Sequence, residues 1–209
     1  LQAYKHINAG EGGILVTDDE DAAARAILHS GSYMLYEQHD ARPAKEVFER
    51  HRLTTPNYSL RMPEVTAALA RPQLQLLQER VANWNRGYGF GASALQGINH
   101  VVLPVRDRRE QYVGSSLQFS LIGFNYAQIE QIVALCTENG LGLKWFGREN
   151  PEGFTSQWQH WRYVEDIPSL ERTAVMLAGL CDMRIPLDLA QTDAEDIRDI
   201  LSSAIGTTT

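Results

Sequence analysis

A chain of 209 residues with 44% hydrophobic and 22% charged side chains can bury a globular core, which excludes an intrinsically disordered class. A net charge of -7 leaves no basic surface for a phosphate backbone, so no nucleic-acid partner is expected, and no apolar run nears the roughly 20 residues that a membrane helix needs. Cys136 and Cys181 lie outside any metal-ligand spacing and read as buried thiols of a cytoplasmic protein with neither a disulfide framework nor a metal site.

In chain order, the turn Gly10-Glu11-Gly12-Gly13 feeds the apolar run Ile14-Leu15-Val16, which predicts a short strand covered on both faces. Thr17 and Glu20 have capping-box spacing for a helix from Ala22 to Leu28 that stops at Ser30-Gly31. From about residue 32 to 57 the chain turns polar and reads as a long binding loop with little core of its own. A helix is predicted from about Pro63, with Val65, Leu69, Leu76, Val81 and Trp84 near helical spacing. Pro72 should kink or divide it, and Gly87, Gly89 and Gly91 should mark its end.

Beyond Gly97 short strands alternate with helices. Strands are expected at 101–103, at Leu117, Phe119 and Leu121, at 141–145, and around Met183 and Ile185. Helices are expected over Tyr126 to Cys136, from Pro168, and from a Thr192/Glu195 capping box onward. The residues after Ile205 read as a low-complexity tail. The pattern fits a small α+β domain with an antiparallel sheet.

A lysine ahead of a glycine turn is, by itself, a solvated side chain beside a turn. The ordered string from Tyr4-Lys5-His6-Ile7-Asn8-Ala9 through Gly10-Glu11-Gly12-Gly13 to Thr17-Asp18-Asp19 is more specific. It resembles the lysine segment of the DegT/DnrJ-type sugar aminotransferases, a branch of the fold type I pyridoxal-phosphate (PLP) enzymes. The resemblance continues through Asn57-Tyr58-Ser59-Leu60-Arg61-Met62-Pro63-Glu64, then Gln73-Leu74 and Arg80, and returns in Cys181 to Leu187. The fold it implies is α/β: residues 1–60 end a large PLP-binding domain, 61–90 form an interdomain helix, and 91–209 form the small C-terminal domain. Leu1 is no initiator methionine, and the chain reads as the C-terminal portion of a longer protein.

The same resemblance implies that Lys5 holds PLP through an imine and then serves as the base that moves a proton during amino transfer. An ordinary lysine amine titrates at about 10.4, so such a site must lower that value by desolvation and nearby positive charge. It implies a homodimer in which the asparagine before the interdomain helix reaches the partner's cofactor phosphate. Ser59 and Leu60 separate Tyr58 from Arg61, which leaves Asn57 or Ser59 at that asparagine's place. Asn57 reads equally as an Asx turn. Arg61 reads as a ligand of the phosphate or of the substrate's anionic end, or as an ion-pair partner of Glu64.

The implied reaction moves an amino group from an amino acid, glutamate or glutamine, to a keto-sugar or related carbohydrate ketone. The alternatives are a PLP-dependent sugar dehydratase of the same fold, which replaces the lysine by histidine, and a non-catalytic sugar-binding or regulatory relative. The family's contacts to the pyridine ring lie before the lysine, so residues 1–209 alone are expected to be inactive. The segment from Trp145 to Tyr163 is dense in aromatic and cationic side chains and reads as a sugar-stacking surface or a domain interface.

Overall fold

The computed structural model describes residues 1–32, 34–150, 158–163 and 165–209. Its contacts divide it into two compact units, Leu1–Leu77 and Gln78–Thr209.

In the first unit, helix α1 spans Glu20–His29 and is capped by Asp19, whose Oδ1 accepts from Asp21 N (2.9 Å) and Ala22 N (3.1 Å). The expected Thr17 cap is displaced by two residues. The Asp19 carboxylate meets the helix's positive end directly, while Thr17 Oγ1 accepts from Asp19 N at 3.0 Å. The run Ile14-Leu15-Val16 forms no strand and is 49%, 68% and 90% exposed, contrary to the sequence reading. A strand needs a neighbour to pair with, and all four strands described lie in the second unit.

The stretch expected to be coreless contains helix α2, Lys45–His51, preceded by a 3-10 turn at Tyr36–Gln38. Tyr36 stacks on Phe48 with ring centroids 3.9 Å apart, and Leu28 of α1 completes a small core. The Tyr36 hydroxyl donates to Pro43 O at 2.5 Å. Asp21 joins α1 to α2 by accepting from Arg50 (2.9 Å) and meeting His51 Nε2 (2.5 Å). Two aromatic residues in a polar sequence sufficed to seed this core, because a short helix needs only one apolar face.

Helix α3 spans Glu64–Gln75 and α4 spans Leu77–Leu95. The expected long helix is therefore divided, but at Leu76 and not at Pro72, which α3 accommodates. Gly87, Gly89 and Gly91 do not end α4. Gly87 and Gly91 are buried in it, and a Cβ on Gly87 would lie 3.0 Å from Ile185, one on Gly91 3.3 Å from Leu117. These glycines are places of close packing, one turn apart on one face.

The sheet of the second unit runs in the order β1-β2-β4-β3, all antiparallel: Val101–Val102, Ser116–Leu121, Leu180–Arg184 and Lys144–Trp145. The registers Leu117↔Met183 and Phe119↔Cys181 put one apolar set on one face. With α4 it meets α5 (Tyr126–Glu138) and α7 (Gln191–Thr208) in a single core that includes Ile132, Cys136 and Leu201. Helix α6, Glu171–Ala178, buries no residue. Helix α7 has its cap at Ala190, two residues before the expected Thr192 cap, where Asp193 Oδ2 accepts from Ala190 N at 2.8 Å, and it runs through the expected tail to Thr208. Among the described residues no helix is long and apolar enough to cross a membrane.

Candidate functional site

Lys5 is exposed on a loop whose two sides are tied down by backbone hydrogen bonds. Lys5 N donates to Gln2 O (3.0 Å), Ala9 N to Leu1 O (2.9 Å) and Leu1 N to Gly12 O (2.8 Å). Gly10 and Gly12 have φ of +85° and +131°, backbone conformations open to glycine at little cost. Asn8 serves the turn, since its Oδ1 accepts from Gly10 N at 3.3 Å. Its own backbone is held from α3: Gln73 Oε1 accepts from Asn8 N (2.9 Å), and Gln73 Nε2 donates to Asn8 O (2.6 Å) and Leu69 O (2.8 Å).

A second cluster forms where the segment 56–61 returns to the C-terminal end of α1. His29 O accepts from Tyr58 N (3.0 Å) and Leu60 N (3.3 Å). His29 Nδ1 donates to Pro56 O at 3.0 Å, the only role open to it against a carbonyl, and its ring stacks on Tyr58 at 5.2 Å. Asn57 Oδ1 accepts from Ser59 N at 2.8 Å, an Asx turn that lets Ser59 take a left-handed φ of 56°. Arg61 Nη1 donates to Ser30 O at 3.3 Å, a cation on the negative end of α1 in place of the ion pair read with Glu64.

The side chains of Asn57 and Arg61 converge on Gly31. A Cβ there would lie 2.6 Å from Asn57 Oδ1 and 2.7 Å from Arg61 Nη1, and Gly31 also has a φ of +84°. The structure thus brings Asn57 and Arg61 together, and neither is bonded to Lys5. The amide and guanidinium keep donors beyond those used locally: the Ser59 bond engages only Asn57 Oδ1, and the Ser30 bond only one of Arg61's five N–H groups.

The model of the DegT/DnrJ/EryC1/StrS aminotransferase family matches residues 1–195. The chain belongs to this family. Among solved structures it is similar to the aminotransferase TlmJ from Streptoalloteichus hindustanus, at 14% identity over 98% of this chain and 50% of that one, with a TM-score of 0.72. It is also similar to the PLP form of a Streptococcus pneumoniae protein assigned as a sugar aminotransferase, at 13% identity over 100% of this chain and 51% of that one, with a TM-score of 0.72. A third likeness is to 3-amino-5-hydroxybenzoic acid synthase, at 18% identity over 97% of this chain and 52% of that one, with a TM-score of 0.69. At these identities the likeness is one of fold, and the chain spans about half the length of these relatives. No functionally curated protein matches.

The chain's other lysines are engaged. Lys45 pairs with Glu37 at 3.4 Å, and Lys144 lies over the Phe146 ring at 4.7 Å. Among the described residues no cluster of three or more His, Cys, Asp or Glu could hold a metal. In the aromatic segment Trp145 is buried and donates to Ala178 O (2.8 Å), while Trp158 donates to Pro168 O (3.1 Å). Residues 151–157 and the His160 side chain, part of the same reading, lie outside the described residues. Two participants escaped the sequence reading: His29, and the role of Gln73. Their partners lie 27 and 65 residues away, and no local pattern announces such pairings.

Proposed function

We propose that this chain is part of a PLP-dependent aminotransferase that moves an amino group from an amino acid, glutamate or glutamine, to a keto-sugar or related carbohydrate ketone. Lys5 carries the cofactor. The observation that carries this reading is the lysine loop, a segment anchored at Leu1, Asn8 and Gly12 that presents the Lys5 amine, in a chain whose family match runs over residues 1–195. The residues present fit PLP. Lys5 offers a primary amine for an aldehyde, and Asn57 with Arg61 offers neutral and cationic donors for a phosphate.

When bound, PLP supplies an aldehyde that takes up the amino group and a ring that draws electrons from the reacting carbon. Lys5 Nζ holds the cofactor covalently and, once displaced, takes the proton from the donor's α-carbon. Asn57 Nδ2 and the Arg61 guanidinium hold the phosphate, with Gly31 keeping the space beneath them clear. In this reading residues 1–60 end the PLP-binding domain, 61–90 form the connecting helical element, and 91–209 form the small domain. The protein works in the cytoplasm as a homodimer, with Asn57 serving the partner's site.

The test uses the complete protein loaded with PLP. Borohydride reduction and peptide mapping should find the cofactor fixed covalently to Lys5, and in Lys5→Ala no cofactor should become fixed. Cofactor fixed to Lys45 or Lys144 in the parent, or fixed covalently anywhere in Lys5→Ala, would sink the assignment. Mixing Lys5→Ala with Asn57→Ala subunits should restore part of the activity lost in each, and free subunit exchange without recovery would remove the trans role.

A further inference from the structure

We infer that Gln73 is the positioning residue of the lysine loop, an inference that rests on the reading of Lys5 as the cofactor lysine. Its carboxamide pairs with a single peptide unit in both senses, accepting from Asn8 N at 2.9 Å and donating to Asn8 O at 2.6 Å. This is the exchange that one strand makes with another, performed here by a side chain of α3 on a loop that has no strand beside it.

The orientation of the amide is determined by its neighbours. Nε2 faces two carbonyls, Asn8 O and Leu69 O, while Oε1 faces an N–H, and the flipped amide would oppose like groups at all three contacts. The Leu69 bond, from four residues earlier on the same helix, fixes the Gln73 side chain before it meets the loop. The clasp therefore transfers the rigidity of α3 to Asn8, three residues from Lys5. The bonds from Lys5 N to Gln2 O, Ala9 N to Leu1 O, Leu1 N to Gly12 O and Gly10 N to Asn8 Oδ1 run within residues 1–12 and set the loop's internal shape, whereas the Gln73 bonds join it to α3.

A misplaced lysine loop weakens cofactor attachment even when the unit remains folded, because attachment needs the amine within bonding reach of the aldehyde. Gln73→Glu keeps the shape and the acceptor for Asn8 N but turns an oxygen toward both carbonyls. Protonating that carboxyl returns one donor. Gln73→Met keeps the length and removes both functions at every pH.

In the complete protein, the PLP dissociation constant of each variant is measured relative to the parent at about pH 8 and about pH 4, on either side of the ordinary glutamate value of about 4.3. Both variants should bind about tenfold or more weaker at the higher pH, and only Gln73→Glu should recover toward the parent at the lower. The site of the residual cofactor, mapped after borohydride reduction, should still be Lys5. Equal affinity in parent and variants, a lowered melting temperature without a change in affinity, or identical pH profiles for the two variants would overturn the positioning role. Cofactor found on another lysine in the parent would instead overturn the reading of Lys5, so the two failures are distinguishable.

Discussion

Leu95, Leu117, Phe119, Ile132 and Leu201 of the second unit are at most 1% exposed, in one continuous cluster. The first unit's cluster is Leu28, Tyr36 and Phe48, with Ile27 packed against it. Val16, Met34, Leu53 and Val65 of that unit are 73% to 90% exposed, and an open cleft of about 490 Å³ beside α1 is lined by Leu15, Val16, Ala23, Ala26 and Ile27. Residues 78–209 are held by pooled apolar burial, which has no direction. Residues 1–77 are held by directed bonds from side chains to backbone: Gln73 on Asn8, His29 on Pro56, Arg61 on Ser30, Asp19 on α1. The candidate site residues lie in the second kind of structure. A hydrogen bond sets an atom's position more sharply than a greasy contact does, at a smaller net stabilisation of about 1 kcal/mol each.

The comparison breaks most readily in the second unit's core. Phe119→Ala should cost about 3–5 kcal/mol in denaturant unfolding of residues 78–209, because it empties the centre of the sheet's buried face. Cys136 and Cys181 report on the same unit, since burial pushes their thiols up to about 11 and about 12. A disulfide reagent should leave both unlabelled in the native protein and label both faster in Phe119→Ala. Fast labelling in the parent would show that the core is not the closed body described.

Gly87→Ala should have a smaller effect, about 1–3 kcal/mol, since its Cβ would press on Ile185 at 3.0 Å and on Leu189 at 3.3 Å. Unchanged or raised stability would mean that α4 packs less tightly than its glycines require.

The smallest effect belongs to the first unit. His51 and then Arg50 hold the Asp21 carboxyl below the ordinary aspartate range by hydrogen bonding. Its stabilising contribution is therefore fully present above about pH 4 and is lost as acid brings the pH down through the lowered value. Asp21→Asn should loosen the α1–α2 pair slightly at neutral pH, as expected of an exposed cluster, and flatten the acid limb of its stability profile. An acid limb identical in parent and variant would show that the cluster contributes nothing.

Elements with their own caps and periodicity were legible from the sequence. The helix expected over Tyr126 to Cys136 is α5, and the alternation of Leu117, Phe119 and Leu121 is β2. The α4 glycines misled because a glycine that ends a helix and one that admits a neighbour are the same letter, and the neighbour lies about 100 residues away in Ile185. The Ile14-Leu15-Val16 run misled because apolar composition states that a segment can be covered, not that the cover is at hand.

For the candidate site, it was the resemblance of the string around Lys5 and of the segment from Asn57 to Arg61 to a known family that made those residues candidates; a lysine beside a turn or an asparagine before a helix would not have done so alone. Their arrangement belongs to the tertiary structure. That Asn57 and Arg61 meet over Gly31, that His29 holds Tyr58, and that Gln73 takes both backbone groups of Asn8 depend on segments brought together from 26 to 65 residues apart. A hydrogen bond is decided by ångströms and angles that only the folded chain supplies.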